Sequence, residues 1–252
     1  MIDYHYELND IREYISKLSI GRIEYIDKIS APFIPDLSDS FKLDGSNIVL
    51  IGQETNGWHG NLFNAISDEE KIDKIICNSK SSHKKLLLKG KVDSSFLRYI
   101  HKIKESNNGE LVQWLNFYLC DYKKSSFFNL KGKNNDLYEF ITKKSVSILS
   151  RQLNELKPKV IFFAGNYHGN FPLLEDAMNL TSCEKLASKN KKISLMLWNG
   201  GTLVIRVPHP GSWSKVSRQA RLDAIDYMKL FNSMDDVEQF KKITQFPSAC
   251  HF

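Results

Sequence analysis

Residues 47–60, Asn47-Ile48-Val49-Leu50-Ile51-Gly52-Gln53-Glu54-Thr55-Asn56-Gly57-Trp58-His59-Gly60, decide the fold. Four large aliphatic residues in a row, stopped by a glycine, follow neither a helical period nor an alternating one. A short continuous apolar run of this kind is a strand covered on both faces. Three comparable runs follow: Phe127-Phe128-Asn129-Leu130, Val160-Ile161-Phe162-Phe163-Ala164-Gly165 and Leu203-Val204-Ile205-Arg206-Val207. Longer helical patterns flank them, notably over 137–156 and 214–234. Strands alternating with helices predict an α/β fold, a three-layer α/β/α sandwich with a mainly parallel central sheet. Residues 193–198 and 202–207 flank Asn199-Gly200-Gly201, which supplies the positive φ of a tight turn, so a hairpin makes one edge of the sheet mixed.

Outward from that core, Ile11, Tyr14, Ile15 and Leu18 recur at three and four within residues 4–28 and predict an amphipathic helix. Residues 31–45, with Pro32 and Pro35, read as a loop dividing an N-terminal helical arm (1–45) from the core domain (46–235), and 236–252 form a C-terminal tail. The long segment 70–115 is expected to shape the pocket. At its end and just beyond it, Trp114 and Tyr118 stand four apart and read as core positions at helical spacing.

Composition narrows the function classes. With 252 residues, 42% hydrophobic and 25% charged, the chain reads as a soluble globular protein large enough to need no disulfide or metal staple. Cys77, Cys120, Cys183 and Cys250 form no CxxC pair, which speaks for reduced thiols and against a four-cysteine cluster. The seven histidines show no HxH or HExxH spacing, so no metal is expected, and no cofactor. Gly211-Ser212-Trp213 is not a GxSxG elbow, against a serine hydrolase. No membrane span and no leader pattern are read, so a cytoplasmic monomer without membrane partners is the expectation. The net charge of +6 points to a polyanionic partner.

In open α/β sheets ligands sit beyond the carboxyl ends of the strands. There this chain carries Gln53, Glu54, Asn129, Gly165-Asn166-Tyr167-His168 and Pro208-His209-Pro210-Gly211-Ser212-Trp213-Ser214-Lys215. In order and spacing, Gly52-Gln53-Glu54, Phe127-Phe128-Asn129, Lys157-Pro158-Lys159-Val160-Ile161 to Gly165, and His209-Pro210-Gly211-Ser212-Trp213-Ser214 resemble the motifs of the uracil-DNA glycosylase superfamily. The likeness covers about residues 46–232.

The resemblance implies a monofunctional DNA glycosylase that leaves an abasic site, in base excision repair or anti-phage defence. It implies that Glu54 positions the water attacking the deoxyribose, that Gln53 contacts the base beside it, that Asn129 reads the flipped pyrimidine, and that His209 donates to the base oxygen. Trp213 takes the wedge position in the duplex. N-glycosidic cleavage independently wants a carboxylate near the sugar and donors near the departing base. Trp58 or Phe63 supplies the stacking ring, while Ser212, Ser214, Lys215, Arg218 and Arg221 lie at a helix start suited to phosphates. Two departures stand out. Glu54 replaces the family's aspartate, and Thr55-Asn56 replaces its Pro-Tyr, so Asn56 leaves a roomier pocket fit for a 5-substituted, even hypermodified, pyrimidine as well as for uracil. No lysine occupies a strand-end position, which disfavours a lyase, although Lys131 and Lys215 lie nearby. The rival expectation is a non-catalytic DNA-binding module on the same fold.

Overall fold

The computed structural model describes residues 2–18, 23–38, 48–89, 94–165, 169–234 and 236–245. Of the positions singled out above, 19–22, 39–47, 90–93, Asn166-Tyr167-His168 and 246–252 lie outside the described residues. Its centre is a six-stranded sheet: β1 (Ile48–Gly52), β2 (Val112–Asn116), β3 (Val160–Ala164), β4 (Cys183–Leu186), β5 (Ser194–Trp198) and β6 (Thr202–Val207). The spatial order is β2-β1-β3-β6-β5-β4. The first four strands run parallel, and β5 and β4 continue the sheet antiparallel. The mixed edge arises at the expected hairpin, where Asn199 and Gly200 both take positive φ between β5 and β6.

The helices are α1 (Tyr4–Ser16), α2 (Ile23–Ile26), α3 (Leu62–Ala65), α4 (Glu69–Leu88), α5 (Ser95–Ser106), α6 (Asn135–Leu156), α7 (Phe171–Ala177), α8 (Lys215–Asn232) and α9 (Val237–Gln245). Side chains alternate across each strand, so the apolar runs feed two cores. Val49, Ile51, Leu115, Ile161 and Phe163 pack with residues of α1, α4, α6 and α7, whereas Ile48, Leu50, Val112, Phe162 and Ile205 pack with α5, α8 and α9. The chain is therefore the three-layer α/β/α sandwich. Local signals agree with it: Asn134 caps α6 by accepting from Leu137 N–H at 3.2 Å, and Lys157 ends that helix in the left-handed region, just before Pro158.

Two expectations are corrected. Phe127–Leu130 is a single 3₁₀ turn, not a strand, because the Ser126 hydroxyl accepts from Phe128 N–H at 3.3 Å and starts the turn. The second parallel strand is Val112–Asn116, so Trp114 is indeed core but lies in extended backbone, and buried Tyr118 follows just after the strand. Residues 31–37 are irregular, as read, and they form a buried strap. Phe33 N–H donates to Leu119 O at 2.8 Å, Ser30 N–H to Asp121 O at 3.0 Å, and Ile34 N–H to the Ser79 hydroxyl at 2.7 Å. Helix α1 is docked against α6 by Glu7, only 3% exposed, which accepts from Arg151 at 2.6 Å and Lys144 at 3.2 Å.

Candidate active site

Strand β1 is flanked by β2 on one side and β3 on the other, so the strand order reverses there, and the crevice in which open α/β sheets hold ligands is expected at its carboxyl end. Gln53 and Glu54 occupy that point. Their backbone is held alongside the exit of β2: Gly52 O accepts from Phe117 N–H at 2.9 Å and Gln53 O from Tyr118 N–H at 2.8 Å. Opposite, β3 ends at Gly165 with φ +151, and a Cβ there would meet Gln53 Oε1 at 3.2 Å and its Cβ at 3.3 Å. Glycine is needed at 165 both for that conformation and for the glutamine to lie close. The Gln53 amide then donates to the Ser126 hydroxyl at 3.0 Å.

The Glu54 carboxylate is half-buried and accepts from Phe127 N–H at 3.4 Å. Burial, with a smaller push from the Asp121 charge, raises its pKa to about 7, against the hydrogen bonds from Phe127 and Gln53 that favour the ion. The 3₁₀ turn that displaced the expected strand thus has its own place in the site, since it aims a backbone N–H at Glu54. Buried Asp121 organises the rest of this turn, accepting from Gly57 N–H at 2.6 Å, Lys124 N–H at 2.9 Å and the Thr55 hydroxyl at 3.4 Å.

His209 faces the crevice from the loop after β6. A Cβ at Gly165 would lie 3.8 Å from His209 Cδ2, so the histidine and Gln53 flank the same glycine. Its Nδ1 accepts from Gly211 N–H at 3.0 Å, which leaves the ring hydrogen on Nε2. Burial and the charge of Arg221 lower its pKa, so the ring is neutral at physiological pH and presents an N–H donor. Arg221 also fixes the loop, donating to His209 O at 3.0 Å and Ser212 O at 3.2 Å.

Two residues not singled out above belong to this site. Asn116 ends β2 in register with Gly52, and its Oδ1 accepts from Trp114 Nε1 at 2.8 Å. Its Nδ2 is buried without a hydrogen-bond partner among the described residues. A buried amide donor left over is costly unless a water or a ligand accepts from it, and this one stands at the strand end beside Gly52. Phe96 is the second. A Cβ at Gly52 would meet Asn116 Oδ1 at 2.7 Å and the Phe96 ring at 3.0 Å, and that ring lies near-parallel to His209 with centroids 6.5 Å apart. The signal for Asn116 was the run Val112 to Asn116 itself, masked by the helical spacing of Trp114 and Tyr118.

The remaining expected positions divide. Asn129 is exposed in the 3₁₀ turn, donating to the Ser125 hydroxyl at 3.3 Å, and does not end a strand. Trp58 donates to the Ser79 hydroxyl at 2.8 Å and packs on Phe33 and Trp114. Phe63 is exposed on α3 and Asn56 on the turn. Ser214 caps α8, accepting from Ser217 N–H at 3.0 Å, and the Ser212 hydroxyl donates to that of Ser217 at 3.0 Å. Trp213, 74% exposed, stands on this loop with exposed Lys215 and Arg218 behind it. Among the described residues no group of three or more metal-ligating side chains occurs, and no helix is long and apolar enough to cross a membrane. The chain matches no protein-family model and no curated protein at a significant level.

The arrangement joins a carboxylate that ionises near neutrality, a neutral imidazole N–H, an unused amide donor and an aromatic ring at one strand-end crevice. Such a set supports removing a proton from water on one side while stabilising negative charge on a planar leaving group on the other.

Proposed function

We propose that the protein is a monofunctional DNA glycosylase acting on a flipped pyrimidine, either uracil-like or carrying a 5-substituent. The observation that carries the reading is that Gln53, the neighbour of Glu54, and Nε2-protonated His209 flank the same glycine, Gly165, at the carboxyl ends of β1 and β3. Ionised Glu54 would hold a water and take its proton as the water oxygen bonds to the anomeric carbon. The glycosidic C–N bond breaks and its electron pair leaves with the base. The His209 N–H and the Asn116 amide would donate to that departing anion, Asn116 taking the base-reading part first given to Asn129. Phe96 is the ring best placed to stack on the base. Asn56, exposed and unable to form an aromatic wall, supports tolerance of a 5-substituent. Lys215 and Arg218 would hold phosphates, and Trp213 would fill the space left by the flipped base. Whether the setting is repair or defence against phage follows from the base released.

The test incubates the protein and Glu54→Gln with DNA carrying uracil, mismatched thymine, 5-hydroxymethylcytosine or its glucosylated form. Released bases are identified by mass spectrometry and abasic sites counted. Release that vanishes with Glu54→Gln is expected. No release from any DNA, with binding intact, would turn the reading to a non-catalytic DNA-binding module.

A further inference from the structure

Between α5 and the loop leading into α8 runs a groove of about 300 Å³. Arg98 and Lys102 line it from α5, Arg218 and Arg221 from α8, and Trp213 and Ser95 border it near the His209 loop. Among the described residues that line it, none is acidic. The helical spacings explain the convergence: residues four apart on α5 and three apart on α8 share one face of each helix, and the two faces oppose. Four cations on one concavity raise its positive potential, which suits an anionic ligand.

We infer that this groove is a backbone subsite that holds consecutive phosphodiesters of a nucleic-acid strand, with a base of the same strand stacked on Trp213. Three observations favour a strand over a small free anion. Trp213 presents most of its indole to solvent beside the cations, and a charged groove next to an aromatic platform suits a chain that alternates phosphates with bases. The groove is also joined to the reaction crevice. Arg221 lines it and grips the His209 and Ser212 carbonyls, and a Cβ at Gly211 would sit 3.0 Å from His209 Nδ1 and 4.0 Å from the Ser95 hydroxyl at the start of α5. Finally, the N-cap residue of α5, Ser94, makes no side-chain capping bond, so the positive end of that helix adds to the field at the mouth of the groove. The inference rests on the glycosylase reading for the direction of the strand, which would run from a base at His209 outward between α5 and α8. It extends the DNA-contacting surface to Arg98 and Lys102, on a helix that the His209 loop does not include.

The experiment measures binding of the full-length protein to a fluorescent single strand and to a duplex, both without modified bases, by anisotropy over a salt series. For Arg98→Gln/Lys102→Gln the slope of log affinity against log salt should fall by about 1.5–2, with at least about tenfold weaker binding at low salt. Trp213→Ala should weaken binding and leave the slope unchanged. Circular dichroism checks folding, and the exposed single change Lys102→Gln, expected to lower the slope by roughly half as much, stands in if the double variant misfolds. Unchanged slope and affinity would overturn the inference. So would equal competition by inorganic phosphate at the same phosphate concentration, which would mean an isolated anion site. The two proposals separate cleanly. Base release that depends on Glu54, with groove variants binding like wild type, removes the groove and keeps the glycosylase. A lowered salt slope with no base release from any DNA does the reverse.

Discussion

The turn after β1 and the turn after β6 supply the two sides of the crevice, and they are built with opposite chemistry. The first is gathered by a buried carboxylate, Asp121, which collects backbone N–H groups and a hydroxyl. The second is gathered by a guanidinium, Arg221, which collects backbone carbonyls. Each organiser has the same sign of charge as the ionised form of the site group it holds. Burial is the larger cause in both, and Asp121 adds to the rise in the Glu54 pKa as Arg221 adds to the fall in that of His209. Burial and these charges together push the carboxyl and the imidazole toward neutrality. The histidine is kept as a donor, and the carboxylate becomes a stronger base.

Four measurements would break or sharpen this contrast. The largest effect falls on the carboxylate side, where Glu54→Gln should lower base release by about 10²–10⁴-fold while leaving DNA affinity nearly intact. An unaltered rate would remove Glu54 from the chemistry. Next comes His83, which backs the first turn from inside the core. It is fully buried, its Nδ1 accepts from Asp36 N–H at 3.1 Å, and its Nε2 stands 2.9 Å from Trp114 O. Burial lowers its pKa from 6.5 to about 4. The unfolded chain therefore takes up the proton first, and stability is complete above about pH 6.5 and is lost as pH falls toward 4. The full loss is about 3 kcal/mol at the lower limit. Urea melts across that range should show it, and His83→Gln should flatten the dependence.

Third, Arg221→Gln removes two charged hydrogen bonds from the second turn and should cost about 2 kcal/mol of unfolding free energy. It should also raise the His209 pKa, readable from its imidazole proton resonances. An unshifted His209 would show that burial alone keeps it neutral. The smallest effect is expected from Asp121→Asn, which keeps an acceptor but deletes the charge. Because the Asp121 charge adds to the rise that burial causes in the Glu54 pKa, the midpoint of the pH–rate curve, expected near 7 for the unsubstituted protein, should move to lower pH. Movement the other way, or none, would mean that another group titrates there.

The same contrast shows what the amino-acid order discloses. The turns after β1 and β6 were legible because each strand holds at least three consecutive apolar residues, and both Glu54 and His209 stand within two residues of the strand end. Strand β2 was hidden because Gln113 interrupts its apolar run. That glutamine is buried all the same, with its amide donating to Asp36 O at 3.2 Å, a partner contributed by the strap 77 positions earlier. Asn116 went unseen with its strand. Phe127 and Phe128 mimicked a strand, since nothing in two aromatic residues distinguishes extended backbone from a 3₁₀ turn until the Ser126 cap is considered. Trp58 stands four residues from Glu54, yet Ser79 on α4 draws its indole into the aromatic group around Phe33. Local pattern specifies elements, whereas these placements depend on partners far along the chain.

The buried strap at 31–37, with Ser30 at its head, has a consequence for synthesis on the ribosome. Its hydrogen-bond partners Leu119 and Asp121 lie about 90 positions downstream, so at roughly 5–20 residues per second the strap waits on the order of 5–20 s, undocked, for the segment that receives it. Asp121 belongs to that late segment and also fixes the turn carrying Glu54. The nascent chain would therefore carry an unformed crevice until translation has passed β2, and a truncated product ending before residue 119 should bind nothing through this face.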